Sequence, residues 1–302
     1  MKVRDKNIKA LRFRRNTVVN LVLILVVLLC VLPIVLLVTS SLTDNKAIIN
    51  GGYRFIPLQW STEAYSWLWE KRLTLVHAFG MTIGTTVFGT AAGLCLTAML
   101  AYALSQKKLP GRKVLQFMVT FTLLFNGGLV PWYFVYTQVL PLKNSVWALI
   151  IPNLLVSGFQ VMLMRTFFST TVPGEILESG RIDGAGEFRI FLQVVLPISL
   201  PILATVGMLK FIDYFNSWYN SMVLTNKDAY DTLQSYLSRT LLNIQYLASA
   251  NAGGGVTNEQ VEVPMESVRM AMAVIGVAPL LLIYPFFQKY LVTGLTVGAV
   301  KG

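Results

Sequence analysis

Charged residues are scarce in this chain: only 13% of its 302 residues are Asp, Glu, Lys or Arg, whereas 55% are hydrophobic. It also has a single histidine, His77, and only two cysteines, Cys30 and Cys95. A lone histidine is more often a packed or solvated residue than a metal ligand, and thiols in apolar runs behave as small hydrophobic groups. The scarcity of titratable groups therefore argues against an enzyme, a metal centre or a disulfide framework.

A second missing pattern is the phosphate-binding loop, Gly-x-x-x-x-Gly-Lys followed by Ser or Thr. We therefore expect that the chain does not hydrolyse ATP itself and binds no cofactor of its own. Its net charge of +11 has the sign that nucleic acid attracts, but the basic residues lie in short stretches beside apolar runs, without interleaved aromatic residues. Anionic lipid headgroups are the expected partner of these residues, and nucleic acid is not.

What the chain has instead is a series of long charge-free windows. Each window supplies the roughly 20 apolar residues that cross a bilayer. The windows are residues 16–43, 73–106, 114–142, 144–164, 190–209 and 270–288. The sequence therefore predicts an all-α membrane protein with six transmembrane helices, at about residues 17–42, 77–104, 114–138, 145–168, 198–224 and 268–287.

Three local patterns refine this prediction. The second span is rich in glycine and alanine, which favours close packing inside the helix bundle. The third contains Asn126-Gly-Gly-Leu-Val-Pro131, which is predicted to break or kink the helix. A seventh charge-free window, residues 240–258, carries amides and three consecutive glycines, and we interpret it as a loop because these groups would be left unpaired in lipid.

Basic residues distinguish the two sides of the membrane, because Lys and Arg are retained on the cytoplasmic side. With the N-terminus inside, sixteen of them lie on the cytoplasmic side and eight outside, and Lys210 falls within a span. We therefore predict a cytoplasmic basic arm at residues 1–16, a six-helix transmembrane domain at 17–302, an extracytoplasmic loop at 225–267 and cytoplasmic N- and C-termini.

A charged segment lies between the fourth and fifth spans. Residues 175–189 contain six Asp, Glu or Arg residues, which is too many for a span, yet they also contain Ile176, Leu177, Ile182 and Phe188. Two short amphipathic helices hinged at residues 184–186 satisfy both observations, because glycine permits a tight turn. The apolar faces of these helices need a partner.

This segment resembles the "EAA" signature of bacterial ABC-importer permeases. Glu178 opens the motif, Gly184 is its seventh residue, and an aliphatic-x-Leu-Pro ending closes it, while Ser179 and Gly180 stand where Ala-Ala would be. The resemblance implies the type I ABC importer architecture, with residues 169–197 as a cytoplasmic coupling loop that docks into a groove on an ATPase subunit. The residues implied in this coupling are Glu178, Ser179, Gly180, Asp183, Gly184, Ala185, Leu196 and Pro197.

Further segments resemble the carbohydrate-importer permeases, in particular those that serve oligosaccharides. They are residues 125–131, 145–152, 165–168, 214–220 and 298–302. The resemblance implies a multi-pass protein of the bacterial cell membrane that imports a sugar by alternating access. It also implies partners: a homologous second permease that completes a heterodimer, two cytoplasmic ATPase subunits that use ATP and Mg, and an extracellular binding lipoprotein or periplasmic protein.

Several amide and aromatic side chains in the spans have two possible roles. They supply the stacking faces and hydrogen bonds that a sugar needs, but the same groups also seal kinked helices against each other. These candidates for a translocation path are Asn126, Trp132, Asn153, Gln160, Asn216, Trp218 and Asn220. Within the fifth span, Lys210 and Asp213 are three residues apart, and we predict that they neutralise each other; a role in substrate binding or gating is the alternative.

Three other classes of protein share parts of this pattern. An ion-coupled secondary transporter would carry more intramembrane charges than Lys210 and Asp213. A related permease for peptides, amino acids or anions would lack the carbohydrate-type segments. A membrane enzyme would need more titratable groups near a span end.

Overall fold

The structure is a computed structural model that describes residues 2–152, 154–226, 228–252 and 265–299. These residues are mainly helical and form no strand beyond an isolated antiparallel bridge between Thr43 and Trp60. The predicted all-α class is thus confirmed. The chain divides into two compact units, one combining Met1–Arg72 with Ile244–Val277 and the other combining Leu73–Asn243 with Ala278–Gly302.

The first unit contains the N-terminal helix and two short helices. Its elements are α1 (Lys2–Ser41), α2 (Asn45–Gly51), α3 (Glu63–Glu70) and the beginning of α15 (Met265–Ala299). The basic arm and the predicted first span form one continuous helix, because no helix-breaking residue separates them. Asp44 caps α2 by accepting a hydrogen bond from the Ala47 N–H at 3.1 Å. The Tyr53 hydroxyl donates to Glu266 Oε2 at 2.7 Å and thereby ties the segment after α2 to α15.

The second unit contains the remaining helices as far as Asn243, together with the end of α15. These are α4 (Arg72–Ser105), α5 (Arg112–Leu124), α6 (Leu129–Phe134), α7 (Trp147–Ile150), α8 (Gly158–Thr171), α9 (Gly174–Ile182), α10 (Glu187–Ile190), α11 (Leu196–Ile198), α12 (Leu200–Phe215), α13 (Tyr219–Leu224) and α14 (Leu233–Ala252). Two π-helical turns extend them, Val135–Val139 after α6 and Phe191–Val195 between α10 and α11. A 3₁₀ turn, Asp228–Tyr230, precedes α14.

Helix α4 lies inside the second unit, as its small residues predict. A Cβ atom at Gly93 would lie 2.8 Å from the Leu155 carbonyl oxygen and 3.1 Å from Lys210 Nζ. At Gly89, a Cβ atom would collide with the ring of Tyr214 on α12. Glycine at these two positions therefore allows α4 to pack closer to Leu155 and to Tyr214 of α12 than a residue with a side chain would.

The six predicted spans are only partly present as continuous helices. Within the described ranges, three helical stretches have the length and composition to cross a membrane: Val19–Ser41, Arg72–Ser105 and Glu266–Pro285. Two bent pairs raise the number to at most five, namely Arg112–Leu124 with Leu129–Val139 at 119° and Glu187–Ile198 with Leu200–Phe215 at 86°. The first bend falls at Asn126-Gly-Gly, so the predicted break of the third span is confirmed.

The fourth and fifth spans differ from the prediction of uninterrupted helices. In the fourth, α7 ends at Ile150 and α8 begins only at Gly158, because Pro152 cannot donate a helical hydrogen bond and disfavours helix in the residue before it. In the fifth, the chain leaves α12 after Phe215 and resumes as α13 at Tyr219.

The prediction of a loop at residues 240–258 is wrong for its first half, since α14 continues to Ala252. Residues 253–258 lie outside the described part of the chain. Amides make this segment unsuitable for lipid, but they do not prevent a helix in water, where leucine and alanine favour it.

Candidate functional site

The charged segment between α8 and α12 folds as a helical hairpin made of α9, a tight turn and α10. Gly184 has a φ of 77° at the end of α9. Its N–H donates to the Arg181 carbonyl at 3.1 Å, and the Ala185 N–H donates to the Gly180 carbonyl at 3.0 Å. This pair of bonds is a Schellman motif, which requires a left-handed residue at the position of Gly184. The predicted pair of helices hinged at residues 184–186 is thus present.

One face of the hairpin packs against its own chain. Leu177, Ile190 and Phe191 are buried in a cluster that also contains Tyr102 of α4 and Met164 of α8. At Gly180, a Cβ atom would lie 3.3 Å from Ile190 Cγ1, so a small residue there lets α9 approach α10. The apolar face thus has part of its partner within this chain, which the sequence did not reveal.

The other face of the hairpin is open. Ile182 is 85% exposed and Phe188 62% exposed, although side chains of this size are usually covered. These two side chains are not among the eight predicted coupling residues, all of which are at least partly accessible. Glu178, Ser179, Asp183, Gly184 and Pro197 are exposed, and Gly180, Ala185 and Leu196 are half-buried.

A hydrogen-bonded network joins the hairpin to the end of α4. Arg181 Nε donates to Glu187 Oε1 at 2.7 Å, and Arg181 Nη2 donates to Gln106 Oε1 at 2.7 Å. The Tyr102 hydroxyl donates to Glu187 Oε2 at 2.6 Å. The hydrogen bond to Glu187 raises the pKa of Arg181 above its ordinary value, so the guanidinium stays charged. Sequence reasoning missed Tyr102 and Gln106, because they are 85 and 75 residues from their partners.

The candidate path residues are dispersed. Asn126 is exposed at the break before α6, where its Oδ1 accepts from the Gly128 N–H at 2.9 Å. Trp132 contacts Tyr136 and Tyr219, with ring centroids 5.4 and 5.5 Å away. Asn126 and Trp132 line the same cavity of about 770 Å³. These two predicted residues are therefore brought together.

Two other candidates hold helices together. Asn220 is buried and donates to the Pro152 carbonyl at 2.9 Å. Gln160 is also buried, and its Nε2 donates to Asp213 Oδ2 at 3.0 Å. Asn216 and Trp218 are exposed in the break between α12 and α13, and Asn153 lies outside the described residues.

Lys210 and Asp213, which we predict to neutralise each other, have different hydrogen-bond partners and form no direct ion pair. The Lys210 side chain is 1% exposed, and its Nζ donates to the carbonyls of Leu154 and Leu155 at 3.2 and 3.0 Å. Asp213 is exposed and accepts instead from Gln160. The reason is tertiary: the break between α7 and α8 leaves carbonyls without helical donors, and the ammonium group supplies them.

These features correspond to those of a known family of membrane proteins. Residues 8–297 match the model of the binding-protein-dependent transport system inner membrane component. The chain belongs to this family. It is a membrane-embedded transport component, in agreement with its apolar helices.

Individual relatives share most of its length. The chain is 31% identical to the polygalacturonan/rhamnogalacturonan transport system permease protein YtcP of Bacillus subtilis, over 90% of this chain and 92% of that protein. It is 30% identical to protein LplC of the same organism, over 90% and 89%. Among solved structures, it resembles a chain of a bacterial ABC transporter involved in the import of the acidic polysaccharide alginate, with a TM-score of 0.76, 29% identity, and coverage of 92% of this chain and 96% of that chain.

Proposed function

We propose that this chain is one of two permease subunits of an ABC importer that moves a sugar oligomer from an extracellular binding protein into the cytoplasm. The observation that carries the proposal is the hairpin of α9 and α10, with its left-handed Gly184 and its open apolar face, in a chain of the binding-protein-dependent transport family. The similar proteins named for polygalacturonan/rhamnogalacturonan transport and for alginate import support a carbohydrate cargo.

In this proposal, the hairpin docks with Ile182 and Phe188 in a groove of a cytoplasmic ATPase subunit. A second ATPase subunit serves a homologous partner permease, and both use ATP and Mg. Apolar side chains at the centre of such a contact contribute most of its binding energy once water is excluded. Closure of the ATPase pair then moves the hairpin, and the permease pair alternates between outward and inward access.

The proposed topology has six crossings and cytoplasmic termini. They are α1, α4, the bent pair α5 and α6, the broken pair α7 and α8, the pair α12 and α13, and α15. Broken helices at membrane depth are tolerated where the irregular backbone is buried in protein or lines a cavity. The break at residues 151–157 fits this condition, because Lys210 and Asn220 donate to its carbonyls.

The alternatives receive less support. The Lys210 ammonium group donates hydrogen bonds to backbone carbonyls. Few intramembrane charges then remain for a secondary transporter coupled to ions. Permeases for peptides, amino acids or anions belong to related systems, but YtcP and the alginate transporter, two similar proteins whose names state a cargo, are named for polysaccharides. The scarcity of titratable groups continues to disfavour a membrane enzyme.

The test is reconstitution with the neighbouring permease, ATPase and binding protein. Proteoliposomes containing this complex are expected to take up labelled oligosaccharides only when ATP is present on the same side of the membrane as the ATPase. A panel of neutral and uronate oligomers identifies the cargo. Uptake that follows an ion gradient without ATP would contradict the proposal.

A pull-down experiment tests the docking face. Ile182→Glu is expected to reduce the ATPase recovered with the tagged permease several-fold, because a charge would be buried in an apolar contact. Ile56→Glu is the matched control, since Ile56 is 79% exposed and follows the first span, which places it on the extracytoplasmic side in the proposed topology. Equal recovery from both variants would exclude this face as the ATPase contact.

A further inference from the structure

The network between the hairpin and α4 spans three separate segments of the chain. Arg181 lies on α9, Glu187 begins α10, and Tyr102 and Gln106 lie at the end of α4 and just beyond it. Both oxygens of the Glu187 carboxylate accept hydrogen bonds: Oε1 from Arg181 Nε, and Oε2 from the Tyr102 hydroxyl and, at 3.4 Å, from Arg181 Nη2. The guanidinium binds Glu187 through Nε and Gln106 through Nη2. Each half of the hairpin therefore has its own bond to the region of α4.

We infer that Tyr102, Gln106, Arg181 and Glu187 form a latch that fastens the coupling hairpin to α4 and passes its movement to that helix. The inference rests on the proposed function, because it assumes that an ATPase moves the hairpin. The four side chains are positioning residues: they act through the hairpin and touch neither nucleotide nor cargo.

The position of α4 explains why this attachment would matter. Its inner face carries Gly89 and Gly93, which lie against Tyr214 of α12 and against Leu155 in the break before α8. A displacement of α4 along its axis would therefore press on α12 and on the broken fourth segment, because closely packed surfaces do not deform continuously. The latch connects the hairpin to the helix that contacts these segments.

The exposure of the network argues against a purely stabilising role. The Arg181 and Glu187 side chains are 31% and 55% exposed, and ion pairs at this degree of exposure contribute little to stability. Packing already holds the hairpin, through Leu177, Ile190 and Phe191. What the short charge-assisted bonds add is a defined orientation, since an arginine that uses two nitrogens fixes both distance and angle.

The test measures how strongly the nucleotide state of the ATPase changes the accessibility of a reporter cysteine in this chain. The complex of this chain with its partner permease and ATPase is placed in proteoliposomes, with Cys30 and Cys95 replaced by alanine and a reporter Asn216→Cys. An impermeant maleimide labels the reporter without nucleotide and with ATP plus vanadate. In the parent protein, labelling is expected to change at least threefold between the two states.

The latch variants are Tyr102→Phe and Glu187→Gln. Tyr102→Phe keeps the ring contact with Phe191, whose centroid lies 5.2 Å away, and removes only the hydroxyl. We expect the change in labelling between the nucleotide-free and the vanadate-trapped state to fall at least threefold in Glu187→Gln and by a smaller factor in Tyr102→Phe. The matched control is Arg189→Ala, which loses a 3.0 Å bond to Gln193 in the same helical segment and leaves the latch intact.

A rescue variant tests whether the latch requires a carboxylate bound to Arg181, whichever of its two partners provides it. Gln106→Glu combined with Glu187→Gln moves the carboxylate to the other partner of Arg181, and it is expected to restore at least half of the lost change in labelling. Latch variants that respond like Arg189→Ala, or that simply lose the ATPase from the complex, would overturn the latch. A parent protein without any nucleotide-dependent change would instead overturn the proposed function.

Discussion

The coupling hairpin and the surroundings of Lys210 use charge in opposite ways. At the hairpin, Arg181 and Glu187 pair at the surface, with side chains that water still reaches. In the interior, Lys210 is 1% exposed and bonds to two backbone carbonyls. A partly hydrated pair can break and re-form at small cost, whereas a buried ammonium without partners would be strongly destabilising. The first arrangement suits a part that moves, and the second suits a fixed junction.

Replacing Lys210 should have the largest effect. Lys210→Leu leaves the carbonyls of Leu154 and Leu155 without their donor, at about 1–3 kcal/mol for each group. We expect the yield of assembled complex to fall more than fivefold, as measured by size-exclusion chromatography after affinity purification. Lys107→Leu, at an exposed lysine, is the control and should assemble normally.

The same measurement of assembly tests whether Asp213 neutralises the charge of Lys210. If the two charges neutralised each other, the double variant Lys210→Leu with Asp213→Leu would assemble better than either single variant. Because the two side chains have different hydrogen-bond partners, we expect the double variant to assemble no better than Lys210→Leu. Rescue in the double variant would restore the pairing hypothesis.

The next largest effect is expected at Gly93. Gly93→Ala places a methyl group 2.8 Å from a backbone oxygen that cannot move away easily, and overpacking of this kind costs about 1–3 kcal/mol. We expect the melting temperature of the purified complex to fall. Gly84→Ala on the same helix is the control, because its Cβ would have open space; equal melting temperatures for the two variants would contradict close packing at α4.

A change at the hinge should affect coupling more than assembly. Gly184→Val forces a β-branched residue into a left-handed conformation, at about 1–2 kcal/mol, while the spans are untouched. The expected result is at least a threefold loss of ATP hydrolysis stimulated by the loaded binding protein. Gly186→Val is the control, since Gly186 has a φ of −69° and open space around it. Full stimulation in Gly184→Val would show that the hinge geometry is dispensable.

The smallest effect concerns a buried carboxylate outside the spans. Burial raises the pKa of Asp231, although Arg239 lies 3.5 Å away and opposes the shift. A raised pKa in the folded state means that the folded protein binds the proton more tightly, so this contribution to stability is lost as pH rises through the folded value. Asp231→Asn should therefore flatten the pH dependence of the melting temperature above the ordinary carboxyl pKa of about 4, by at most about 3 °C. An unchanged slope of melting temperature against pH would argue against a raised pKa of Asp231.

Local sequence patterns were sufficient for several features. The apolar windows predicted the helical class, the Asn126-Gly-Gly segment predicted the break before α6, and the hinge at Gly184 followed from the glycine spacing. Each of these depends on residues that are close together in the chain. The loop predicted at residues 240–258 failed because unsuitability for lipid was taken to exclude a helix.

The sequence alone determined which segments are apolar, which glycine must turn the hairpin and which family signature the chain carries, because backbone propensity and hydrophobicity act over a few neighbouring residues. Only the tertiary structure decided which partners the polar side chains bind. Lys210 donates to the carbonyls of Leu154 and Leu155, and Asp213 accepts from Gln160. Tyr102 and Gln106 hydrogen-bond the hairpin. These partners lie 53 to 85 residues apart. A charged side chain in a packed interior takes whichever donor or acceptor the fold brings within about 3 Å, and sequence spacing does not reveal which one that is.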